Sequence, residues 1–192
     1  MTAARLLRLV GTLAVLAASL AAATTARAAE RDEGVGRAGR FAFVIEPRYG
    51  YVILGSNDEP SGWGIAARLY YGITEAVGLQ VQGSYTGHGL DKTDDRDAGT
   101  LAIIAINAGA SFAIDAIPLS PMLEAGIGLL QRRFGDSVSN DVGIRIGLSM
   151  RYWLSDWIAL GFSVSYHGFL TDPTNVPVYV ELGPQIALRW PR

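Results

Sequence analysis

Regular alternation of apolar residues with polar or small ones constrains this chain more than any other feature of its sequence. Between Val142 and Tyr152 every second residue is apolar, whereas the residues between them are glycine, serine or arginine. A period of two is that of a β-strand with two different faces, and an amphipathic helix would show a period of 3.6. The pattern recurs in eight segments: 40–51, 63–73, 77–86, 103–112, 123–132, 142–153, 158–167 and 178–190. The sequence therefore predicts an all-β fold.

The connections between these segments alternate in length. Short ones follow the second, fourth and sixth segments, at 74–76, 115–120 and 154–157. Longer and more polar ones occupy 56–62, 87–99, 135–141 and 170–177. Short turns at one end and long loops at the other are typical of membrane barrels, whose short turns face the periplasm. We therefore predict an eight-stranded antiparallel up-and-down β-barrel.

The N-terminal residues differ from the rest of the chain. Arg5 and Arg8 precede an Ala-rich apolar run, and small residues stand at the two positions of 26–28 that a signal peptidase recognises. The run of about 15 residues is shorter than the roughly 20 that a membrane-spanning helix needs. We expect residues 1–28 to be a signal peptide, 29–39 a flexible periplasmic lead-in, and 40–192 the barrel.

Charge and composition exclude several classes of function. Removal of 1–28 leaves 13 basic against 18 acidic side chains, so a nucleic-acid partner is not expected. The triplet Gly34, Gly36 and Gly39 has the spacing of a dinucleotide-binding turn, but a strand pattern follows it where that motif needs a helix. We predict no cofactor.

A metal site is not expected either. The chain has no cysteine and only two histidines, which excludes disulfides, thiolate sites and His-rich sites. Asp91, Asp94, Asp95 and Asp97 could gather a divalent cation, but they lack the full spacing of a calcium-binding loop. We interpret this segment as a solvated loop.

Alternation alone does not decide whether the apolar face lies inside a soluble barrel or outside a membrane barrel. Aromatic residues on that face gather near the strand ends, as the two interfacial girdles of a membrane barrel do. The girdle at the short turns consists of Phe41, Tyr71, Phe112, Tyr152 and Trp190, and that at the long loops of Tyr49, Tyr51, Trp63, Tyr85 and Tyr166. The apolar face is therefore predicted to meet lipid.

With these features the chain resembles the small eight-stranded outer-membrane β-barrel family, the OmpA/OmpX-like transmembrane domains. The last segment, YVELGPQIALRW, ends in an aromatic residue and looks like the signal read by the barrel assembly machinery, although Pro191 and Arg192 follow it. The resemblance implies a location in the outer membrane of a Gram-negative envelope. It also implies contacts with membrane lipid and lipopolysaccharide, and with the assembly machinery during insertion.

The polar face of such a barrel would line a lumen. Eight strands enclose a space about wide enough for side chains to fill it, so an open pore is not expected. Because a buried charge needs a partner, the inward charges should pair. We predict one network of Glu46, Arg48, Arg68 and Glu181, and a second pair, Glu124 and Arg151, nearer the periplasmic rim.

These observations favour a non-enzymatic outer-membrane barrel with a filled polar lumen, which contributes to envelope structure or to surface interaction through its extracellular loops. The alternative is a narrow passive conduit or a binder of a small amphipathic ligand. A lipid A-modifying hydrolase is a weaker alternative. Ser165 and His167 share a strand face, but it is the lumenal face, and no acid sits at an obvious orienting position. We therefore predict no catalytic residues, and the sequence names no surface partner.

Overall fold

The computed structural model of the chain describes residues 37–53, 60–90, 99–114, 119–171 and 178–190. Within these residues eight strands form a closed antiparallel barrel, in which each strand pairs with its neighbours in sequence and the last pairs with the first. The strands are β1 (Phe41–Ile53), β2 (Ser61–Gly72), β3 (Val77–Leu90), β4 (Gly99–Ala113), β5 (Leu119–Phe134), β6 (Ser137–Trp153), β7 (Ile158–Phe169) and β8 (Val178–Arg189). The predicted fold class is confirmed. The expected signal peptide and residues 29–36 lie outside the described residues.

The two faces of the barrel have opposite character. Ile106 and Ile127 are 60% and 57% exposed on the outside, whereas Glu46 and Arg68 are each 1% exposed in the lumen. A protein that folds in water buries its large apolar side chains and leaves its charges outside. The outer surface of this barrel is therefore suited to hydrocarbon, in which only helices and closed barrels satisfy their backbone polar groups. No helix in the described part of the chain is long and apolar enough to cross a membrane.

The ten aromatic residues assigned to the two girdles lie on the outer face, near the ends of their strands. Phe41 and Tyr71 pair across β1 and β2 with ring centroids 4.8 Å apart at the short-turn end. Tyr49 and Trp63 pair on the same two strands at the other end, 5.2 Å apart. Trp157, in the β6–β7 turn, is a further exposed aromatic at the short-turn end. Tryptophan and tyrosine are enriched at membrane–water interfaces because one part of the side chain is apolar and another is polar.

One predicted loop is wrong. Residues 135–141 were expected to form a long polar connection, but Ser137–Asp141 belong to β6, and β5 and β6 are joined by a tight turn at Gly135 and Asp136. Gly135 adopts a positive φ of 55°, which glycine adopts at little cost. The hairpin is extended by cross-strand contacts, such as that of Gln131 with Asn140 at 3.0 Å. Beyond the paired part of β7, this hairpin projects from the long-loop end of the barrel.

The end of the lead-in is attached to the short-turn end. The Arg37 amide donates a hydrogen bond to the Glu75 carboxylate at 2.6 Å, and Ala38 forms a parallel bridge with Gly72. The Gly39 amide donates to the Gly72 carbonyl at 2.8 Å. These contacts place 37–39 beside the short-turn mouth of the barrel.

The seam that closes the barrel is interrupted halfway. β1 and β8 pair over 42–45 with 186–189 and over 49–53 with 178–182, and the residues between have no ladder partners across this seam. Pro47 and Pro184 lie in this gap, and proline has no amide hydrogen to donate. On the lumen side, a salt bridge between Arg48 and Glu181 joins the two strands. Side chains therefore reinforce the closure where backbone hydrogen bonds are missing.

A cation placed on the outer face tests the orientation of the barrel. Ile127 lies halfway along β5 and faces outward, so Ile127→Arg should lower the free energy of unfolding in lipid vesicles by about 2–4 kcal/mol. Val138→Arg, on the projecting hairpin, should cost only about 0–1 kcal/mol. Urea titrations give both values, and equal costs for the two variants would contradict a hydrocarbon-facing Ile127.

Candidate functional site in the barrel lumen

Seven charged side chains occupy the middle of the lumen. They come from seven positions on five strands, and all seven face inward because the inward positions are even-numbered on β1, β2 and β5 and odd-numbered on β6 and β8. None is more than 3% exposed. The seven, which we call the lumen network, are Glu46, Arg48, Arg68, Glu124, Arg145, Arg151 and Glu181.

Glu124 is one centre of the lumen network. Its carboxylate lies 2.6 Å from Arg68 Nη1, 2.8 Å from Arg145 Nη1 and 3.8 Å from Arg151 Nη2. The hydroxyls of Tyr70 and Ser149 also donate hydrogen bonds to it. One carboxylate thus links β2, β5 and β6 across the lumen, and it offsets charge on three arginines.

Glu46 and Glu181 form the rest of the lumen network. Glu46 forms a salt bridge with Arg68 and lies 2.9 Å from Arg48 Nε. Arg48 in turn forms a salt bridge with Glu181. Glu181 also contacts His167 Nε2 at 2.9 Å and accepts a hydrogen bond from the Tyr179 hydroxyl at 2.8 Å. A continuous path of ion pairs therefore runs from Glu124 to Glu181.

The structure brings Glu46, Arg48, Arg68 and Glu181 together. Glu124 and Arg151 do not form a separate pair, because Arg68 connects Glu124 to Glu46. The sequence pattern did not predict that Arg145, Tyr70 and Tyr179 take part in these contacts, nor that His167 lies against Glu181. Each stands at an inward position of its strand. Arg145 and His167 meet carboxylates on neighbouring strands, so these contacts depend on hairpin register. Tyr70 meets Glu124 across the lumen, which only barrel closure makes possible.

Gly147 leaves space for the charged side chains around Glu124. A Cβ atom on Gly147 would lie 2.9 Å from Arg145 Nη2 and 3.3 Å from Glu124 Oε2. Small residues on the inner face therefore let long charged side chains lie across the lumen, which fits the space available in an eight-stranded barrel.

A filled polar lumen was predicted from the sequence, but the lumen is not polar along its whole length. Towards the long-loop end the inward residues form an apolar cluster of Val52, Leu90, Leu101, Ile103, Ala105, Leu130, Phe169 and Tyr179. Towards the periplasm a second cluster consists of Val44, Tyr70, Ala113, Met122, Ala159 and Ala187. Charges buried at mid-height have partners, and apolar groups near both ends shield them from water. The lumen network therefore lies between two mainly apolar layers, which also contain buried polar side chains such as His88 and Arg189.

Ser165 and His167 lie in the charged layer. An acid does lie beside His167, contrary to the sequence-based expectation, because Glu181 faces it across β7 and β8. However, the Ser165 hydroxyl accepts a hydrogen bond from Arg145 at 2.8 Å, and His167 Nδ1 has no hydrogen-bond partner among the described residues. A nucleophilic serine needs a hydrogen bond to its base, so this geometry is that of a packed interior.

Within the described ranges no three His, Asp or Glu side chains are grouped as a metal site would require. The aspartates at 91, 94, 95 and 97 lie outside those ranges.

Removal of the central carboxylate tests the energetic role of the lumen network. Glu124→Gln leaves Arg68, Arg145 and Arg151 without their shared counter-charge, so it should destabilise the barrel by about 3–5 kcal/mol. Asp136→Asn, at the exposed β5–β6 turn, is the matched control and should change stability by less than about 0.5 kcal/mol. Urea unfolding in vesicles measures both, and an unchanged midpoint for Glu124→Gln would contradict the assignment.

Comparison with known proteins gives the fold a wider context. No protein-family model matches the chain, and no curated protein matches its sequence. Several solved structures do match. Neisserial surface protein A has a TM-score of 0.61 and 19% identity, with 78% of this chain and 97% of that chain covered. The outer membrane protein OprG from Pseudomonas aeruginosa has a TM-score of 0.59 and 10% identity, with 83% and 100% covered.

Ail, the attachment invasion locus protein of Yersinia pestis, matches in a complex with the heparin analogue sucrose octasulfate. It has a TM-score of 0.56 and 15% identity, with 80% of this chain and 99% of Ail covered. Identities this low establish shared architecture alone. These neighbours are small outer-membrane barrels, which together with the apolar outer surface supports an outer-membrane location. The chain therefore has the fold of the small eight-stranded outer-membrane β-barrels.

Proposed function

We propose that this chain is a closed, non-enzymatic outer-membrane barrel that contributes to envelope structure or presents its extracellular loops to an external partner. The observation that carries the proposal is the layered lumen. Glu124, Arg68, Glu46 and Arg48 connect strands on different sides of the barrel, and the apolar clusters lie above and below them. A solute would have to separate buried ion pairs to pass, and removing one partner of such a pair is strongly unfavourable.

The projecting β5–β6 hairpin supports a role at the cell surface. Its strand β6 extends beyond the residues paired with β7, and the hairpin exposes Asp136, Val138 and Asn140. Surface loops held by a rigid scaffold are common places for binding residues. The heparin analogue bound by Ail gives no direct guide here, since the expected extracellular segment 87–99 of this chain is rich in aspartate and would repel a polyanion.

Membrane lipid and lipopolysaccharide are the partners that the outer surface fits. The belt of exposed apolar side chains matches hydrocarbon, and the aromatic girdles match its two interfaces. We also propose that the barrel assembly machinery recognises the last strand, β8, during insertion. β8 carries outward Leu182, Ile186 and Leu188, is followed by Trp190, and closes against β1.

Conductance tests the closed lumen. In planar bilayers the wild-type barrel should show almost no discrete openings, because the lumen network fills the space between the strands. The double variant Arg68→Ala, Glu124→Ala should show more openings, whereas Ile127→Ala, outward on the same strand as Glu124, should stay as silent as wild type. Regular openings of the wild type would favour the passive conduit.

Activity against lipid A tests the absence of catalysis. Purified barrel incubated with lipid A should release no fatty acid, because the Ser165 hydroxyl is bound to Arg145 inside the lumen. Mass spectrometry of the lipid measures this. Release that disappears in Ser165→Ala but persists in Ser163→Ala, two residues away on the same face, would identify a hydrolase and overturn the proposal.

A further inference from the structure

A cavity lies at the long-loop mouth of the barrel, above the lumen network. Its volume is about 330 Å³, and residues of the barrel wall and of the β5–β6 hairpin line it. Apolar side chains from five strands form its wall: Val52, Leu90, Leu101, Ile103, Phe134 and Phe169. We call this cavity the mouth pocket.

The floor of the mouth pocket is closed. Tyr179 belongs to the same apolar cluster as several of the lining residues, and its hydroxyl donates to Glu181 at 2.8 Å and lies 2.6 Å from Thr86 Oγ1. Below these groups the salt bridge between Arg48 and Glu181 begins the lumen network. A molecule in the mouth pocket would therefore lie above the Tyr179 hydroxyl and the lumen network, which separate it from the short-turn end of the barrel.

The chemistry of the mouth pocket favours an apolar ligand. Apolar surface exposed to water is unfavourable, and a hydrocarbon that covers this surface removes it from water, which favours binding. The volume is about twice that of a dry 150 Å³ protein cavity that binds benzene, and it falls at the lower end of the roughly 300–1,000 Å³ of small-molecule sites. The pocket therefore fits one medium-length hydrocarbon chain or a two-ring aromatic group.

The basic and acidic side chains at the rim of the mouth pocket form a salt bridge with each other. Arg132, on the inner face of β5, forms a salt bridge with Asp141 of β6 at 2.8 Å, and its guanidinium lies 5.1 Å from the centre of the Phe169 ring. The serines at 137 and 139 add neutral hydroxyls to the lining. A rim in which the cation is already paired attracts neither anions nor cations strongly, so it favours an uncharged ligand with a hydrogen-bonding group.

We infer that the mouth pocket binds an uncharged, largely apolar small molecule that arrives from the outer side of the membrane. This site is independent of the closed-lumen proposal, since the barrel can be sealed at mid-height and still hold a ligand above the seal. The occupant differs from a membrane lipid because it lies inside the barrel wall, against residues that alternate with the lipid-facing ones.

Methyl NMR can detect such a ligand. The barrel, labelled at Ile, Leu and Val methyl groups and held in lipid nanodiscs, is titrated with 1-decanol. The same titration is made with decanoate and with decyltrimethylammonium. Signals of Leu101 and Ile103 should shift and saturate with 1-decanol, and the two charged probes should bind about tenfold more weakly. Signals of Ile106 and Ile127, which face lipid, should shift linearly without saturation and so report partition into the nanodisc.

A pair of variants on one strand completes the test. Ile103→Trp fills the mouth pocket and should weaken 1-decanol binding about tenfold, whereas Ile106→Trp, outward on the same strand, should leave it unchanged. A heat-dependent shift on a gel shows whether each variant forms a closed barrel, and Leu101→Phe replaces Ile103→Trp if that variant does not fold.

Three results would overturn the inference. No saturable shift at Leu101 and Ile103 would mean that the mouth is closed or occupied by the protein itself. Equal affinity in wild type and in a folded pocket-filling variant would mean that 1-decanol binds elsewhere. Tighter binding of decanoate or of decyltrimethylammonium would assign the pocket to a charged ligand. Conductance of the wild type, in contrast, would affect the closed-lumen proposal alone.

Discussion

Pairing of buried charge is the constraint on which the rest of this structure depends. A barrel surrounded by hydrocarbon places the polar face of every strand in a narrow interior, where an unpaired charge is strongly unfavourable. Here Glu46, Glu124 and Glu181 are each shared between more than one basic or hydroxyl partner. The resulting contacts cross the lumen instead of following one strand. They therefore fix the positions of strands that are distant in sequence, including β1 and β8 at the proline-containing seam.

The alternation of residue types, the connection lengths and the aromatic residues near the strand ends were together sufficient to predict the strand number, the closed antiparallel architecture and the outward direction of the apolar face. Glu46 and Arg48 are inward for the same reason that Ile45 and Pro47 are outward, namely the two-residue period of a strand. Which charged side chains pair across the lumen depends on how the barrel closes and on the stagger of its strands, and a local sequence pattern contains neither. The link between Glu124 and Glu46 through Arg68 was missed for that reason. Arg145 lies on the neighbouring strand β6, and its pairing with Glu124 depends on the register of the β5–β6 hairpin.

The β5–β6 hairpin shows a second limit of local patterns. Its residues 135–141 are mostly Gly, Asp, Ser and Asn, which are common in loops. The segment is nevertheless extended, because Arg132 pairs with Asp141 and Gln131 with Asn140 across the two strands. Those contacts create the wall of the mouth pocket, a feature that no single segment predicts. The two ends of the barrel consequently differ. Residues 37–39 lie beside the periplasmic end, and an apolar pocket opens at the other.

The central claim is that the apolar face meets hydrocarbon while the polar face lies inside the barrel. Because the chain has no cysteine, single nitroxide labels can be placed at Ile104, Ala105, Ile106, Asn107 and Ala108 by substitution with cysteine. In lipid vesicles, labels at 104, 106 and 108 should be accessible to oxygen and protected from a water-soluble nickel chelate, and labels at 105 and 107 should be protected from both. Labels at 104 and 106 that react freely with the chelate, or accessibility without alternation, would contradict the account.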